Sequence, residues 1–254
     1  MNINKHNSRA WDKEDGLEEW KQPFSHEVIK KAKRNIAEVL LTNSKSVPSD
    51  WYMPVKGKKI LCLASGGGQQ APIFSAMGAN VTLVDISANQ LAKDKMVAER
   101  EGLAIDIIQH DMCDLSIFED ETFDMIFHPI SNCFIEDPNL VWAECYRVLK
   151  KGGSLLSGFV NPILYLFDMD AIEQGELKVT NTIPYSDVEQ LPKDQLKKRI
   201  ENNDTLEYGH SLDTLIGGQI AVGFAVTGFY EDYSCDDTLD KYIHSSIATK
   251  ALKV

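Results

Sequence analysis

The sequence has few of the features that mark secreted, membrane-spanning or metal-binding proteins. Its five cysteines are an odd number without Cys-x-x-Cys spacing, which is typical of reduced thiols rather than of disulfides or a zinc site. No apolar run approaches the length of a membrane span, and the stretch MNINKHNSRAWDKEDG is too polar for a signal peptide. The six histidines are scattered without His-x-x-x-His spacing. We therefore expect a cytoplasmic protein with no membrane association and no bound metal.

Basic residues are also scarce. Lys and Arg number 26 against 38 Asp and Glu, a formal net charge of −12 over 254 residues. This balance disfavours a nucleic-acid partner, because phosphate backbones are bound by clustered Lys and Arg. The basic cluster at residues 30–34 is interpreted as the solvent-exposed face of a helix. The expected partner is a small molecule, and the sequence gives no information on oligomeric state.

The chain does have a regular alternation of apolar strands and helices. Strands are predicted at residues 58–64, 79–85, 105–111, 123–128, 154–160, 225–233 and 243–252. Helices are predicted at 25–41, 70–77, 87–101, 139–149 and 212–223. Continuous apolar strands between helices indicate a parallel sheet buried on both faces, and right-handed crossovers make it doubly wound.

The organisation predicts one α/β domain over residues 1–254. Residues 1–57 are expected to form an N-terminal helical cover, in which Trp11, Trp20 and Phe24 dock over the sheet. The rhythm of strands and helices breaks at residues 161–210, which we interpret as an insertion or lid after the fifth strand. This insertion contains the charged helix candidate QLPKDQLKKRIENN between two strand-like pieces, at 177–183 and 206–210.

Three consecutive glycines, Gly66, Gly67 and Gly68, follow the first strand and precede a helix. Without Cβ atoms, this backbone can adopt positive φ and let a ligand pack directly on the loop. In a doubly wound sheet the loop lies at the carboxyl edge of the strands, where ligands bind. Asp85 ends the second strand, and a carboxylate there can accept both hydroxyl protons of a ribose. The two features predict a nucleoside site.

The kind of nucleoside stays open on these residues alone. Gly66-x-Gly68-x-x-Ala71 satisfies the dinucleotide fingerprint, so an NAD(P)-dependent oxidoreductase of Rossmann type is one alternative. Tyr146 and Lys150, after Ser131, resemble the catalytic set of short-chain dehydrogenases. Their context differs, because Lys151-Gly152-Gly153 ends the helix at once. Lys150 in the last turn is better explained as a complement to the helix dipole.

The segment from about residue 58 to 159 resembles the class I S-adenosylmethionine-dependent methyltransferases, and most closely the methyltransferase-11 group. The resemblance lies in ILCLASGGG, VTLVDIS, HDMCDL with FDMIFH, and YRVLKKGGSLL, in the family's order and spacing. It implies a Rossmann-like, seven-stranded, mostly parallel sheet with a C-terminal antiparallel strand. It also implies S-adenosylmethionine as cofactor and methyl transfer as the reaction.

The resemblance also implies roles for single residues. Asp85 would bind the ribose, while Ile86, Asp111 and Met112 would contact the adenine. The full set of implied cofactor contacts is Ala64, Ser65, Gly66, Gly67, Gly68, Gln69, Asp85, Ile86, Gln90, Asp111, Met112 and His128. The chain departs from the family at Cys62, where most members have an acid, and at Ala64, where glycine is usual. The methionine ammonium must therefore find another partner.

Candidate catalytic residues follow the fourth and fifth strands. His128 has a pKa suited to a general base, although a hydrogen-bonded strand-end histidine is an equally good interpretation. Asn132 would hold substrate or cap a turn, and Tyr165 would orient substrate or join the core. Tyr185, His210 and Tyr230 are weaker candidates for lining a lid. The predicted function is methyl transfer to a small, neutral or cationic acceptor, and the second alternative is a non-catalytic S-adenosylmethionine-binding module.

Overall fold

Seven strands form the central sheet of the computed structural model, which describes residues 2–13, 22–233 and 238–254. The strands of the protein are β1 Lys59–Leu63, β2 Asn80–Asp85, β3 Ile105–Gln109, β4 Phe123–His128, β5 Leu149–Val160, β6 Tyr185–Ser186, β7 Tyr208–Gly209, β8 Phe224–Asp232 and β9 Ser246–Lys253. The main sheet has the order β3-β2-β1-β4-β5-β9-β8, and β6 pairs with β7 in a separate two-stranded ribbon. Strands β1 to β5 pair in parallel, and β9 is antiparallel to both of its neighbours. The predicted fold class is confirmed.

Helices cover both faces of this sheet. They are α1 Ile3–Asp12, α2 His26–Ala32, α3 Ser49–Tyr52, α4 Gln70–Ala76, α5 Ala88–Glu101, α6 Pro138–Val148, α7 Met169–Glu173, α8 Asp187–Gln190, α9 Lys193–Asn202 and α10 Gly218–Ala221. Short 3₁₀ turns span Asn132–Phe134, Pro162–Leu166 and Leu239–Lys241, and a π-helical turn spans Asp213–Gly217. Among the residues described, no helix is both long and apolar enough to cross a bilayer.

The apolar side chains of the central strand β1 pack into two cores, one on each face of the sheet. In β1, Ile60 and Cys62 belong to the core on one face of the sheet, whereas Leu61 and Leu63 belong to the core on the other. All four side chains are fully buried, as expected for a central parallel strand whose side chains alternate between two covered faces. This central strand brings the glycine loop to the carboxyl edge of the sheet.

Helix α5 begins and ends where the sequence signals it. The Ser87 side chain accepts a hydrogen bond from Gln90 N at 3.1 Å, and Gly102 closes the helix in the left-handed conformation at φ 65°. Both are common ways to satisfy the free backbone groups of a helix end. These caps fix the position of α5 against the loop that follows β1.

Three predicted elements differ from the structure. The helix predicted at 25–41 ends at Ala32, because Asn35 adopts φ 59°, and the chain then forms a turn closed by a bridge between Leu40 and Ser46. The helix predicted at 212–223 begins with the π-helical turn before α10. The strand-like piece 177–183 contributes only a bridge from Val179 to Phe167.

Candidate functional site

A cavity of about 960 Å³ opens at the carboxyl edge of the sheet. Most of the residues predicted to bind cofactor line it: Ala64, Ser65, Gly66, Gly67, Gln69, Asp85, Ile86, Gln90, Asp111 and Met112. Gly68 and His128 are not part of the wall. Most of the remaining wall comes from α1, from residues 40–43 and from the segment after β4, and Phe24, Gln70 and His110 complete it. The parallel strands therefore bring the predicted nucleoside residues together.

The glycine loop directs its three N–H groups at carboxylates. Gly66 N donates to Asp85 Oδ2 at 2.8 Å, while Gly67 N and Gly68 N both donate to Asp94 Oδ2, at 2.8 and 2.9 Å. Gly67 and Gly68 have φ 131° and 74°, which favours glycine at both positions. The three loop amides are thus engaged by two aspartates instead of being offered to a ligand.

Asp85 lies at the end of β2, where it faces both the loop and the cavity. Its second oxygen, Oδ1, accepts from Ser87 N at 2.9 Å. A Cβ on residue 66 would lie 3.0 Å from Asp85 Oδ2 and 2.8 Å from Gln90 Cβ, so only glycine permits this close approach. Burial raises the pKa of Asp85, although the N–H groups of Ser87 and Gly66 act in the opposite direction. Each carboxylate oxygen keeps a lone pair that can accept a hydroxyl proton.

Asp94, which sequence reasoning missed, supports the loop from α5. Its side chain is fully buried, and burial raises its pKa to about 7 against the opposing N–H bonds from Gly68 and Gly67. The sequence contained a signal, because Leu91, Asp94 and Val97 are three residues apart on one buried helix stripe. An acid on such a stripe indicates a buried polar contact. The family resemblance implies an acid at position 62, where this chain has Cys62. The carboxylate that contacts the glycine loop comes from α5 instead.

The predicted adenine end is covered by α1. Asp111 accepts from Cys113 N through Oδ1 at 2.9 Å and from Asn4 Nδ2 through Oδ2 at 2.9 Å. Ser8 Oγ donates to Ile86 O at 3.3 Å. These bonds fasten α1 across the ends of β2 and β3. Sequence reasoning placed a cover here but did not identify α1 side chains as part of the cavity wall.

The opposite end is mainly apolar and is made of two segments, residues 40–43 and 129–135, which form what we call the acceptor wall. Ile130 N donates to Leu41 O at 3.3 Å and joins the two segments. Gly158 of β5 permits this contact, since a Cβ there would overlap the Leu41 carbonyl. No periodic pattern in the sequence indicates this wall.

The candidate base lies behind the acceptor wall rather than on it. His128 is fully buried, with Nδ1 3.0 Å from Leu63 O and Nε2 3.1 Å from the Asn132 side-chain amide. Burial lowers the pKa of His128, although its two hydrogen-bond partners act in the opposite direction. Ser131, not His128, lines the cavity. The ring is therefore engaged at both nitrogens by groups of the protein itself.

The other candidates lie at varying distances from the cavity. Asn132 and Tyr165 border a separate, much smaller pocket together with His210. Tyr165 Oη donates to Glu207 Oε2 at 2.7 Å, and the His210 ring contacts the Ile135 carbonyl at 2.9 Å. Tyr185 Oη donates to Asp187, and Tyr230 contacts Thr42. Trp11 and Phe24 line the cavity, whereas Trp20 lies outside the described residues. None of the three catalytic candidates, His128, Asn132 and Tyr165, lines the cavity.

Comparison with known proteins identifies the family. Residues 61–157 match the model of a methyltransferase domain. Over 250 residues, 98% of each chain, the sequence is 53% identical to the uncharacterized methyltransferase YbaJ of Bacillus subtilis (strain 168). The chain belongs to the S-adenosylmethionine-dependent methyltransferases. The predicted family is thereby confirmed, and neither the oxidoreductase nor the non-catalytic alternative is favoured.

Solved structures share the fold of this methyltransferase. An S-adenosylmethionine-dependent methyltransferase from Mesorhizobium loti has a TM-score of 0.61 at 17% identity, covering 80% of this chain and 94% of that one. The geranyl diphosphate C-methyltransferase of Streptomyces coelicolor A3(2) also has a TM-score of 0.61, at 13% identity over 100% of this chain and 99% of that one. At these identities the likeness concerns architecture alone.

Proposed function

We propose that this methyltransferase binds S-adenosylmethionine along the rim from Asp111 to the glycine loop and methylates a small molecule held at the acceptor wall. The observation that carries the proposal is the engagement of all three glycine N–H groups by Asp85 and Asp94. A dinucleotide site needs loop amides that are free to bind pyrophosphate. A loop backed by two carboxylates instead suits a cationic ligand.

The cavity residues fit this cofactor in size and chemistry. About 960 Å³ is within the upper range of small-molecule sites and leaves room for a cofactor and an acceptor together. Asp85 and Asp111 supply acceptors for hydroxyl and amino protons at two neighbouring strand ends, and Ile86 and Met112 supply apolar surface between them. When bound, S-adenosylmethionine supplies a methyl group on an already activated sulfonium.

The protein's own contribution is alignment and exclusion of water. Trp11 packs edge-on against Phe134, with ring centroids 5.2 Å apart, so α1 joins the acceptor wall above the cavity. Holding the reactants in line and keeping water out are the main requirements for such a transfer. His128 acts in this scheme by positioning the end of β4 through Leu63 and Asn132. Ser131 lines the cavity beside it, and its hydroxyl donates to Pro129 O at 3.0 Å.

The acceptor is neutral or cationic in this proposal. The acceptor wall offers Leu41, Ile130 and Phe134 as contact surface, and the charged side chains Asp85 and Asp111 lie on the same cavity. An anionic acceptor would be repelled by these carboxylates.

Calorimetric titration of the purified protein with S-adenosylmethionine, S-adenosylhomocysteine and NAD(P) tests the cofactor. We expect the two adenosyl compounds to bind and the dinucleotides not to bind. Methyl-labelled cofactor incubated with a metabolite pool then tests transfer. Binding of NAD(P) alone would contradict the cofactor assignment, and cofactor binding without transfer to any pool would support a sensor.

A further inference from the structure

Asp94 contacts the glycine loop from the side away from the cavity. Its Oδ2 holds both Gly67 N and Gly68 N, and its side chain is fully buried. Its other oxygen, Oδ1, is equally buried and has no hydrogen-bond partner among the residues described. Gly67 lines the cavity, so the backbone of the glycine loop would lie between the Asp94 carboxylate and a ligand bound there.

The acidic and thiol groups that face Asp94 increase the cost of its negative charge. Asp85 faces it from β2, and Cys62, whose pKa is raised by burial and by the Asp94 charge, faces it from β1. Two further acids lie on neighbouring elements. Asp12 of α1 accepts a hydrogen bond from Ser87 at the start of α5, and Asp106 of β3 is exposed to solvent. Helix α4 contributes only uncharged side chains, and Lys93 and Lys95 flank Asp94 on α5.

We propose that Asp94 is a positioning residue for the cofactor. Its carboxylate fixes the Gly67–Gly68 backbone, and its charge favours the cationic S-adenosylmethionine over S-adenosylhomocysteine, whose sulfur is uncharged. This inference rests on the proposed function. Opposite charges attract strongly across a buried loop, where water does not screen them. The sulfonium is the charge that distinguishes the cofactor from its product, so a buried anion beside the loop helps the site release product.

Linkage gives this role a pH signature. Because burial raises the pKa of Asp94 to about 7, the carboxyl is partly protonated near neutral pH. A bound cation lowers that pKa, so binding S-adenosylmethionine releases protons, and affinity rises with pH. For a shift of one unit, linkage predicts about a fivefold loss of affinity from pH 8 to pH 6.

The same shift predicts an unusual effect on stability. A carboxyl whose pKa is raised in the folded state stabilises the fold below its ordinary value of 3.8, and this contribution is lost as pH rises through about 7. Asp94→Asn retains an oxygen that can accept both N–H groups and removes the buried charge. We therefore expect the variant to melt at a higher temperature than wild type at pH 8 while binding S-adenosylmethionine more weakly.

The test is calorimetry with both adenosyl compounds at pH 6, 7 and 8, together with thermal melts, on wild type, Asp94→Asn and Glu101→Gln. Glu101 is a matched control, because it is a buried acid on the same helix that bonds Arg100 and His26 away from the loop. In Asp94→Asn we expect the pH dependence to flatten and the preference for S-adenosylmethionine to fall about fivefold or more relative to wild type.

Unchanged preference and pH slope in Asp94→Asn, or a lower melting temperature at pH 8 with equal loss of both ligands, would overturn the inference and leave the proposed function standing. If wild type bound neither adenosyl compound at any pH, both proposals would fall.

Discussion

The two ends of the cavity are built in different ways. At the cofactor end, Asp85 is the last residue of β2, and Asp111 follows the adjacent parallel strand β3. The glycine loop continues from β1. At the acceptor end, residues 40–43 and 129–135 come from distant parts of the chain and meet through the Ile130–Leu41 bond. The cofactor end is therefore positioned by the sheet itself, whereas the acceptor end depends on contacts between remote segments.

Asp232 shows how the acceptor wall is held. It is the last residue of β8 and nearly fully buried, and it accepts hydrogen bonds from Thr42 Oγ1, Ser44 N, Ser44 Oγ and Lys45 N at 2.7–2.8 Å. Burial alone would raise the pKa of Asp232, but these donors outweigh it and lower the pKa to about 2. One carboxylate thus anchors the turn that continues from the wall.

Replacing Asp232 should have the largest effect of the changes considered, and it should act on the stability of the fold. We expect Asp232→Ala to lower the free energy of unfolding by about 3 kcal/mol, since several buried donors lose a charged acceptor. The contribution of a carboxyl with a lowered pKa is present above its ordinary value of 3.8 and is lost as pH falls toward about 2. Urea unfolding at pH 7 and pH 3 should show the difference from wild type shrinking at pH 3.

The neighbouring Glu231→Ala is the control, because its side chain is exposed. If both variants were equally stable at pH 7, the carboxylate would not be an anchor.

The cofactor end should respond in affinity rather than in fold. Asp85→Ala is expected to weaken binding of S-adenosylmethionine by about 1.5–3 kcal/mol, the range for hydrogen bonds to a charged group. Titration calorimetry measures this directly, with the exposed Asp106→Ala on β3 as control. Unchanged affinity would show that the ribose is held elsewhere.

His128 distinguishes a structural from a chemical role behind the acceptor wall. We expect His128→Gln to lower the free energy of unfolding by about 1–2 kcal/mol, because Leu63 O and Asn132 lose a well-placed partner. A histidine with a lowered pKa stabilises the fold above its ordinary value of 6.5 and loses that contribution as pH falls further, so the gap should narrow at pH 5.

Methyl transfer by His128→Gln should keep its pH profile, and the exposed His244→Gln serves as control. A hundredfold loss of turnover in a folded protein would instead identify His128 as the base.

The smallest effect is expected at Ala64, where the chain departs from the family's usual glycine. Its φ of 48° lies in the left-handed region, and its N–H donates to Val84 O at 2.7 Å. Ala64→Gly relieves this strain but loosens the unfolded chain, so we expect a gain of under about 1 kcal/mol. Ala71→Gly, inside α4, should destabilise in the same urea assay; a loss at both positions would contradict strain at Ala64.

The difference between the two ends of the cavity also explains how much of the fold and the site could be predicted from the sequence. Apolar runs and caps such as Ser87 predicted the strands and α5, and through them Asp85 and the glycine loop, because these features are local. The helix predicted to reach residue 41 was wrong, since Asn35 turns the chain out of the helix. The acceptor wall had no local signal, because the Gly158–Leu41 approach and the Asp232 bonds join residues more than a hundred positions apart. Asp94 was within reach of sequence reasoning through its place on an apolar stripe.

Strand β8, which carries Asp232, ends the sheet and pairs only with β9 among the described strands. The turn that continues from the acceptor wall is thus held by a border strand that does not itself line the cavity. Under the proposed function, substitutions on this border strand would alter the acceptor wall while leaving Asp85 and Asp111 in place.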